Sequence, residues 1–365
     1  MTVSRARQHV TLEGEFPLHR GGSLVRPTLA YEIWGELNDR RDNAVLLFTG
    51  LSPSAHAASS PADPSPGWWE EMIGPGRSID TRRYFVVCVN SLGSCFGSTG
   101  AASVNPETGK PYRLTFPVLS LEDVARGSWE VLQHLGIERV KFTIGPSMGG
   151  MSAIAFEILF PGRSDGLLVI SSGARSLPFA IALRSLQREM IRRDPNWQEG
   201  DYGADTMPLV GMRLARKLGM ITYRSAEEWR ARFSRERASE ECEPDDPFGI
   251  DFEIEAYLDH HANKFTGQFD PNCYLYLSRA SDLFDVADHG STIEAGLAKI
   301  EAKRVMIVGV QSDFLFPPHQ QQELATQLSV AGSETEYIEL ESIQGHDSFL
   351  VDMDRFRPTI ARFMA

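Results

Sequence analysis

Residues 141–150, Lys-Phe-Thr-Ile-Gly-Pro-Ser-Met-Gly-Gly, constrain the fold of this chain more than any other stretch. The short apolar run at their start predicts a buried strand, and the apolar residues 148–160 predict a helix directly after it. Between the two, Gly145, Ser147 and Gly149 fit the G-x-S-x-G pattern, in which a serine lies on a sharp turn from strand to helix. Such a turn exposes the serine hydroxyl at the sheet edge and directs the helix N-terminus toward a developing oxyanion. A glycine-rich turn without a catalytic role is the alternative at this point.

The rest of the chain alternates strand-like runs with helical segments. Strands are predicted at residues 43–49, 84–90, 166–171, 304–310 and 336–340, and an N-terminal hairpin at residues 9–16 and 28–34. From about residue 175 to 300 charged amphipathic helices replace the strands. This pattern predicts an α/β fold with a mostly parallel sheet and one helical insertion. We therefore expect a core domain of residues 1–174 and 301–365, and an insertion of residues 175–300.

Composition narrows the classes of function. The formal net charge of −13 disfavours a nucleic-acid partner, whose phosphates would be repelled. No apolar run is long enough to cross a membrane, and the amino terminus lacks a signal-peptide core, so we expect a cytoplasmic protein without a membrane partner. The four cysteines lack metal-ligand spacing, and the acidic residues 240–246 are interpreted as a solvated loop rather than a metal site. No metal is expected.

A serine nucleophile needs a base, and the base needs a carboxylate to orient it. In a fold of this kind these partners follow the serine in the order Asp or Glu, then His, on loops after strands. Asp313 follows the strand predicted at 304–310, and His346 follows the strand predicted at 336–340. The other histidines precede Ser147, belong to the insertion or begin a helix. Ser147, Asp313 and His346 are therefore the candidate catalytic residues, with purely structural roles as the alternative for the last two.

The candidate oxyanion hole combines two backbone N–H groups. One belongs to Met148, the residue after the candidate nucleophile, and the other to the loop after the third strand. That loop is Gly50, Leu51 and Ser52, from which we select Leu51.

Several further motifs resemble those of the homoserine O-acetyltransferase family of α/β-hydrolase-fold acyltransferases. The resemblance covers nearly the whole chain and depends on the G-x-S-x-G turn at residues 145–149 together with residues 67–69, 74–76, 90–94, 97–100 and 105–112. Within the family the chain is most similar to the members that succinylate serine, at residues 50–57, 176–179, 185–189 and 270–276. Homoserine acetyltransferases usually carry a stretch of Thr-Gly-Asp-Ser type where this chain has Ser52, Pro53, Ser54 and Ala55. These four residues are candidate determinants of the acceptor.

The resemblance implies an α/β-hydrolase fold, with a mostly parallel eight-stranded sheet and a helical lid. It implies ping-pong transfer of a succinyl group from succinyl-CoA, through Ser147, to the hydroxyl of L-serine, which gives O-succinylserine for cysteine biosynthesis without a bound cofactor. The family places an arginine and an aspartate on the acceptor amino acid, and these match Arg213 and Asp347. Arg184 is a candidate partner for the distal carboxylate of the succinyl group. The family also suggests a homodimer formed through the insertion.

Three other functions remain open from the sequence. A hydrolase would use the same three catalytic residues with water as the acceptor. Homoserine, which is one methylene longer than serine, would be discriminated only weakly by pocket size, so a homoserine acetyl- or succinyltransferase of methionine biosynthesis is a further alternative. A catalytically inactive interaction module is disfavoured by the intact order of Ser147, Asp313 and His346.

Overall fold

The computed structural model describes residues 4–238 and 247–365. Cys242 and the acidic residues 240–246, interpreted above as a loop, lie outside the described residues.

A central sheet of eight strands organises the part of the chain that the structure describes. The strands in chain order are β1 (Gln8–Thr11), β2 (Glu15–Pro17), β3 (Ser23–Val25), β4 (Thr28–Trp34), β5 (Ala44–Phe48), β6 (Ile73–Gly74), β7 (Ile79–Asp80), β8 (Phe85–Val89), β9 (Val140–Pro146), β10 (Ser164–Ile170), β11 (Arg304–Val310) and β12 (Glu334–Leu340). The central sheet has the order β1-β4-β8-β5-β9-β10-β11-β12. β4 pairs antiparallel with β1 and β8, and the other pairs are parallel. This confirms the predicted mostly parallel, eight-stranded α/β sheet.

The N-terminal region differs from the predicted hairpin. The sequence predicts a single strand at residues 9–16, but the structure contains two strands there, β1 and β2. Gly14 lies between them with a φ of 74°, a left-handed conformation that interrupts an extended strand and favours glycine. β1 joins the central sheet beside β4, whereas β2 pairs with β3 in a separate two-stranded sheet.

Eleven α-helices accompany the strands in the described residues. They are α1 (Leu121–His134), α2 (Met148–Leu159), α3 (Pro178–Arg193), α4 (Leu209–Thr222), α5 (Ala226–Phe233), α6 (Glu253–Phe265), α7 (Pro271–Leu283), α8 (Ile293–Leu297), α9 (Pro318–Val330), α10 (Ser348–Val351) and α11 (Met353–Met364). Helices α3 to α8 all fall between β10 and β11, within the predicted insertion. None of the helices built from residues 4–238 and 247–365 is both long and apolar enough to span a bilayer.

The inner strands are buried because helices cover both faces of the sheet. Every residue of β5 and β8 is buried, as expected of parallel strands that lie between two helical layers. Side chains on one face pack with Phe156 of α2, and those on the other face pack with Phe356 and Phe363 of α11. The sheet is thus a rigid support for the loops at its ends.

Three of these loops carry the chemical groups. Ser147 follows β9, Asp313 follows β11 and His346 follows β12. Because β9, β11 and β12 are parallel, their carboxyl ends meet at one edge of the sheet, and open α/β sheets bind their ligands at this edge.

Candidate active site

Ser147 lies at the turn between β9 and α2 in a strained backbone conformation. Its φ and ψ are 54° and −126°, in a region that residues with a Cβ rarely occupy. The turn requires glycine on both sides. A Cβ on Gly145 would lie 2.0 Å from the carbonyl oxygen of Gly149, and a Cβ on Gly149 would lie 2.7 Å from the carbonyl oxygen of Phe48. The glycines of the G-x-S-x-G pattern thus permit the close packing of strand, turn and helix.

The hydroxyl of Ser147 begins a chain of hydrogen bonds. Its Oγ lies 2.8 Å from Nε2 of His346, whose Nδ1 lies 2.8 Å from Oδ2 of Asp313. The second oxygen of Asp313 accepts hydrogen bonds of 2.9 Å from the backbone N–H groups of Leu315 and Phe316. These bonds hold the carboxylate in place, so that it can orient the imidazole toward the serine.

The environment of His346 makes it a stronger base. Burial works to lower the pKa of His346, but the charge of Asp313 and the hydrogen bond to it outweigh burial and raise the pKa above the usual histidine value. The ring of Phe316 stacks on the imidazole with 5.4 Å between the ring centroids. The base is therefore held in one orientation between a carboxylate and an aromatic face.

A cavity opens beside Ser147 and contains several of the predicted site residues. Leu51 and Met148, the predicted oxyanion donors, both line it. Met148 is the first residue of α2, where backbone N–H groups have no acceptor within the helix. Both residues therefore lie at the edge of the cavity that also holds the candidate nucleophile.

The four predicted acceptor-specificity residues divide between two cavities. Ser52 and Pro53 line the cavity of Ser147. Ser54 and Ala55 instead line a neighbouring cavity, together with His56. The carbonyl of Ser54 accepts a hydrogen bond of 3.1 Å from the indole of Trp68, which itself lines the first cavity. Only half of the predicted segment thus has direct access to a molecule bound at Ser147.

Arg184 lies in the wall of the cavity and is buried, as an arginine that contacts a ligand would be. Its Nε donates to Asp282 at 2.6 Å and its Nη2 donates to Ser176 at 2.5 Å. Nη2 of Arg188 also lies 2.7 Å from the carboxylate of Asp282. Two guanidinium groups therefore share one carboxylate, which leaves a net positive charge beside the cavity.

Arg213, the predicted acceptor-binding arginine, lies on α4. Its side chain does not line the cavity but is 37% exposed, with Nη1 3.3 Å from Asp259, a carboxylate that also pairs with Lys217 at 2.7 Å. Arg213 thus lies on the side of α4 that faces α6, which carries Asp259.

Arg216, one turn further along α4, was not singled out from the sequence. It lines a second cavity that meets the first at Asp347. Its guanidinium lies 4.4 Å from the ring centroid of Phe265, and its Nε is buried without a hydrogen-bond partner among the described residues. A buried donor without a partner is costly, so Arg216 is suited to receive an anionic group.

Asp347 lies directly after His346 and borders both cavities. Burial raises the pKa of Asp347 above the usual aspartate value, while the charge of Arg224 acts in the opposite direction. Nε of Arg224 is 3.6 Å from its carboxylate. Asp347 thus places a carboxylate at the junction of the two cavities, in the neighbourhood of Arg224 and Arg216.

A serine, a histidine and an aspartate at the carboxyl edge of a mostly parallel sheet define an enzyme of the α/β-hydrolase fold. Consistent with this, the family described as alpha/beta hydrolase fold matches residues 43–351. The solved structure of homoserine O-acetyltransferase from Bacillus anthracis is 29% identical, with a TM-score of 0.90 over 98% of this chain and 97% of that one. Esterase E22 is also 29% identical, with a TM-score of 0.89 over 98% and 99% of the two chains.

A curated relative is considerably closer in sequence. The serine O-succinyltransferase of Litchfieldella anticariensis is 54% identical over 99% of this chain and 98% of its own length. The chain therefore belongs to the serine O-succinyltransferase family of α/β-hydrolase-fold acyltransferases. This confirms the family resemblance inferred from the sequence.

Proposed function

We propose that the protein transfers a succinyl group from succinyl-CoA to the hydroxyl of L-serine, with Ser147 as the nucleophile. The observation that carries this proposal is the continuous chain of hydrogen bonds from Ser147 through His346 to Asp313, open to a cavity with a surplus positive charge at Arg184. The product, O-succinylserine, would serve cysteine biosynthesis.

In the first half-reaction His346 accepts the proton of the Ser147 hydroxyl as Oγ attacks the thioester carbonyl. The N–H groups of Leu51 and Met148 stabilise the oxyanion that develops. The carbon–sulfur bond then breaks, and His346 returns the proton to the leaving thiolate. The result is free CoA and a succinyl ester on Ser147.

In the second half-reaction the hydroxyl of L-serine loses its proton to His346 and attacks the succinyl ester. The bond from the acyl carbon to Oγ of Ser147 breaks, and His346 returns the proton to that oxygen. Asp347 binds the ammonium group of the acceptor, and Arg216, in place of Arg213, binds its carboxylate in a bidentate fork. Both residues border the junction of the two cavities, which supports this assignment.

The choice of acyl group follows from charge. A succinyl group carries a carboxylate that an acetyl group lacks. Arg184 and Arg188 share only Asp282, so an incoming carboxylate would restore the local balance of charge. Because Arg184 is buried, a charge-assisted hydrogen bond from it to the distal carboxylate favours succinyl-CoA over acetyl-CoA.

The choice of acceptor depends on the segment beside Leu51. Ser52 and Pro53 line the cavity, and the proline ring limits the backbone conformations of this wall. A rigid wall would set the distance between the acceptor hydroxyl and the acyl carbon for the shorter side chain of serine. Ser54 and Ala55 support this wall from the neighbouring cavity rather than contact the acceptor.

Two experiments test the proposal. Intact-protein mass spectrometry of the wild type with succinyl-CoA alone should reveal one succinyl adduct, located on Ser147 by peptide mapping and absent from Ser147→Ala. Competition assays with acetyl- and succinyl-CoA against L-serine and L-homoserine should favour succinyl-CoA with L-serine. An adduct on another residue refutes the nucleophile, and a preference for acetyl-CoA with homoserine refutes the substrates.

Hydrolysis is the second candidate function, because the similar structure of esterase E22 carries the name of a hydrolase. A hydrolase would release CoA from succinyl-CoA at the same steady rate with and without L-serine. The transferase proposed here would release one equivalent rapidly and then require L-serine for further turnover.

We further propose a cytoplasmic homodimer. Val210, Leu214 and Ile221 are exposed on one side of α4, in the insertion that the dimer would use. Cys88, Cys95 and Cys273 are free, which is usual in a reducing compartment. Light scattering should give twice the mass of the chain for the wild type and a shift toward the monomer for Leu214→Arg.

A further inference from the structure

Three potential metal ligands from distant parts of the chain meet outside the active site. His19 lies in the loop between β2 and β3, Glu122 lies in the first turn of α1, and His289 ends a 3-10 turn, Val286–His289, after α7. None of the three lines the cavity of Ser147. Within the described residues this is the one group of three or more histidine, cysteine and acidic side chains whose ligand atoms lie within 4.8 Å of one another.

The distances between the ligand atoms suit a zinc ion. Nε2 of His289 lies 3.0 Å from Oε1 of Glu122, and Nε2 of His19 lies 3.7 Å from the same oxygen. Zinc binds nitrogen and oxygen ligands at about 2.0–2.2 Å, so neighbouring ligand atoms in a tetrahedral site are roughly 3.4 Å apart. The two distances bracket this value, and all three ligand atoms lie within 4.8 Å of one another.

The two carboxylate oxygens of Glu122 differ, because Oε1 is hydrogen-bonded to Nε2 of His289 at 3.0 Å, where zinc would replace the shared proton. The Glu122 side chain is fully buried, and its Oε2 has no hydrogen-bond partner among residues 4–238 and 247–365. The neighbouring carboxylate of Asp123 is already occupied, because it accepts hydrogen bonds from the N–H groups of His19 and Ser120. The nearby Asp288 is paired with Arg20 at 3.1 Å. Arg20, the residue after His19, is thus paired with a carboxylate outside the three residues.

We propose that His19, Glu122 and His289 bind a zinc ion through the two Nε2 atoms and the carboxylate. The side chain of His19 is 33% exposed, so the fourth position of the tetrahedron faces solvent and would be filled by water. The ion would connect the β2–β3 loop, α1 and the segment after α7. Because these elements come from the core and from the predicted insertion, the site ties the two together and has a structural role. This proposal is independent of the proposed reaction.

Metal binding by the full-length protein tests the site directly. Protein freed of metal by a chelator is titrated with ZnCl₂ against a competing chromophoric chelator, and with CoCl₂ while its visible absorption is followed. One equivalent of zinc should bind, and cobalt should give the intense visible bands of a four-coordinate ion. When a residue that only hydrogen-bonds to a metal ligand is removed, the affinity for the metal falls by about 10- to 100-fold. His289→Ala and His19→Ala each remove a ligand itself, so each should weaken zinc binding by at least this factor.

Two controls test whether the observed zinc binding arises from this site. His260→Ala removes a histidine from α6 and should leave the affinity unchanged. His19→Ala alters a partly exposed side chain, so its circular dichroism should match the wild type. At the same zinc concentration, the Tm of the wild type should rise more than the Tm of this variant. The proposal is overturned by the absence of stoichiometric binding, by binding that survives both His19→Ala and His289→Ala, or by binding that His260→Ala removes.

Discussion

Arg216 and Arg213, three residues apart on α4, provide the sharpest test of the proposed acceptor site. Arg216 borders the cavity junction at Asp347 and has a buried Nε without a partner among the described residues. Arg213 is 37% exposed and shares Asp259 with Lys217. If Arg216 binds the carboxylate of L-serine, its replacement should impair the second half-reaction only, while replacement of Arg213 should have little effect.

The expected magnitudes follow from these environments. A hydrogen bond to a charged group contributes about 1.5–3 kcal/mol, and each 1.36 kcal/mol corresponds to a tenfold change in rate. Arg216→Ala should therefore lower kcat/KM for L-serine by about 10- to 150-fold. Arg216→Lys, which keeps the charge but loses the fork, should fall between that variant and the wild type. Arg213→Ala loses an exposed ion pair that contributes about 0–1 kcal/mol to stability and does not involve the acceptor, so kcat/KM for L-serine should change little.

The assay separates the two half-reactions. The rate at which Ser147 acquires a succinyl group is measured by rapid quench and mass spectrometry with succinyl-CoA alone, and kcat/KM for L-serine is measured in the steady state. Arg216→Ala should acylate at the rate of the wild type. The reasoning is refuted if Arg213→Ala loses more activity toward L-serine than Arg216→Ala, or if Arg216→Ala fails equally in acylation while remaining folded.

Three further predictions concern the base, the acyl group and the turn that carries Ser147. Since Asp313 raises the pKa of His346 and the neutral imidazole is the active base, kcat/KM for succinyl-CoA should fall as pH drops through a value above the usual histidine pKa. Asp313→Asn should move this limb to lower pH and reduce turnover by about a thousandfold or more, and an unmoved limb contradicts the assignment. Arg184→Gln should reduce the preference for succinyl- over acetyl-CoA by about 10-fold or more without changing the preference for serine over homoserine, and an unchanged acyl preference argues against contact with the succinyl carboxylate. Gly149→Ala would place a Cβ 2.7 Å from a carbonyl oxygen, so it should lower the free energy of unfolding by about 1–3 kcal/mol. Denaturant titration measures this loss, and an unchanged stability contradicts the close packing.

The core of the site could be predicted from the sequence because each of its residues follows a strand. β9, β11 and β12 are parallel, so the residues after them reach the same edge of the sheet whatever the details of packing. Ser147, Asp313 and His346 could therefore be selected by position and chemical type. The strained backbone at Ser147 could also be predicted from the sequence, because Gly145 and Gly149 permit the close packing on either side of it.

No comparable sequence pattern identifies which residues in the helices of the insertion face the substrate. Positions three apart on a helix lie on neighbouring sides, so the periodicity of α4 does not distinguish Arg213 from Arg216. The difference arises from α6, which carries Asp259 beside Arg213 and Phe265 beside Arg216. Only the packing of the two helices decides which arginine remains available for a ligand.

The same dependence on packing explains why the insertion would govern the choice of acyl group, while the loops after the core strands would govern the chemistry. The surplus charge beside the cavity arises because Arg184 and Arg188 of α3 meet one carboxylate, Asp282 of α7, almost a hundred residues away in the chain. Substitutions in α3, α4 or α7 can change this charge while Ser147 and His346 keep their positions on the sheet edge. Variants of α3 and α7 should therefore alter which acyl group reacts, whereas variants of Ser147, Asp313 or His346 should alter whether any reaction occurs.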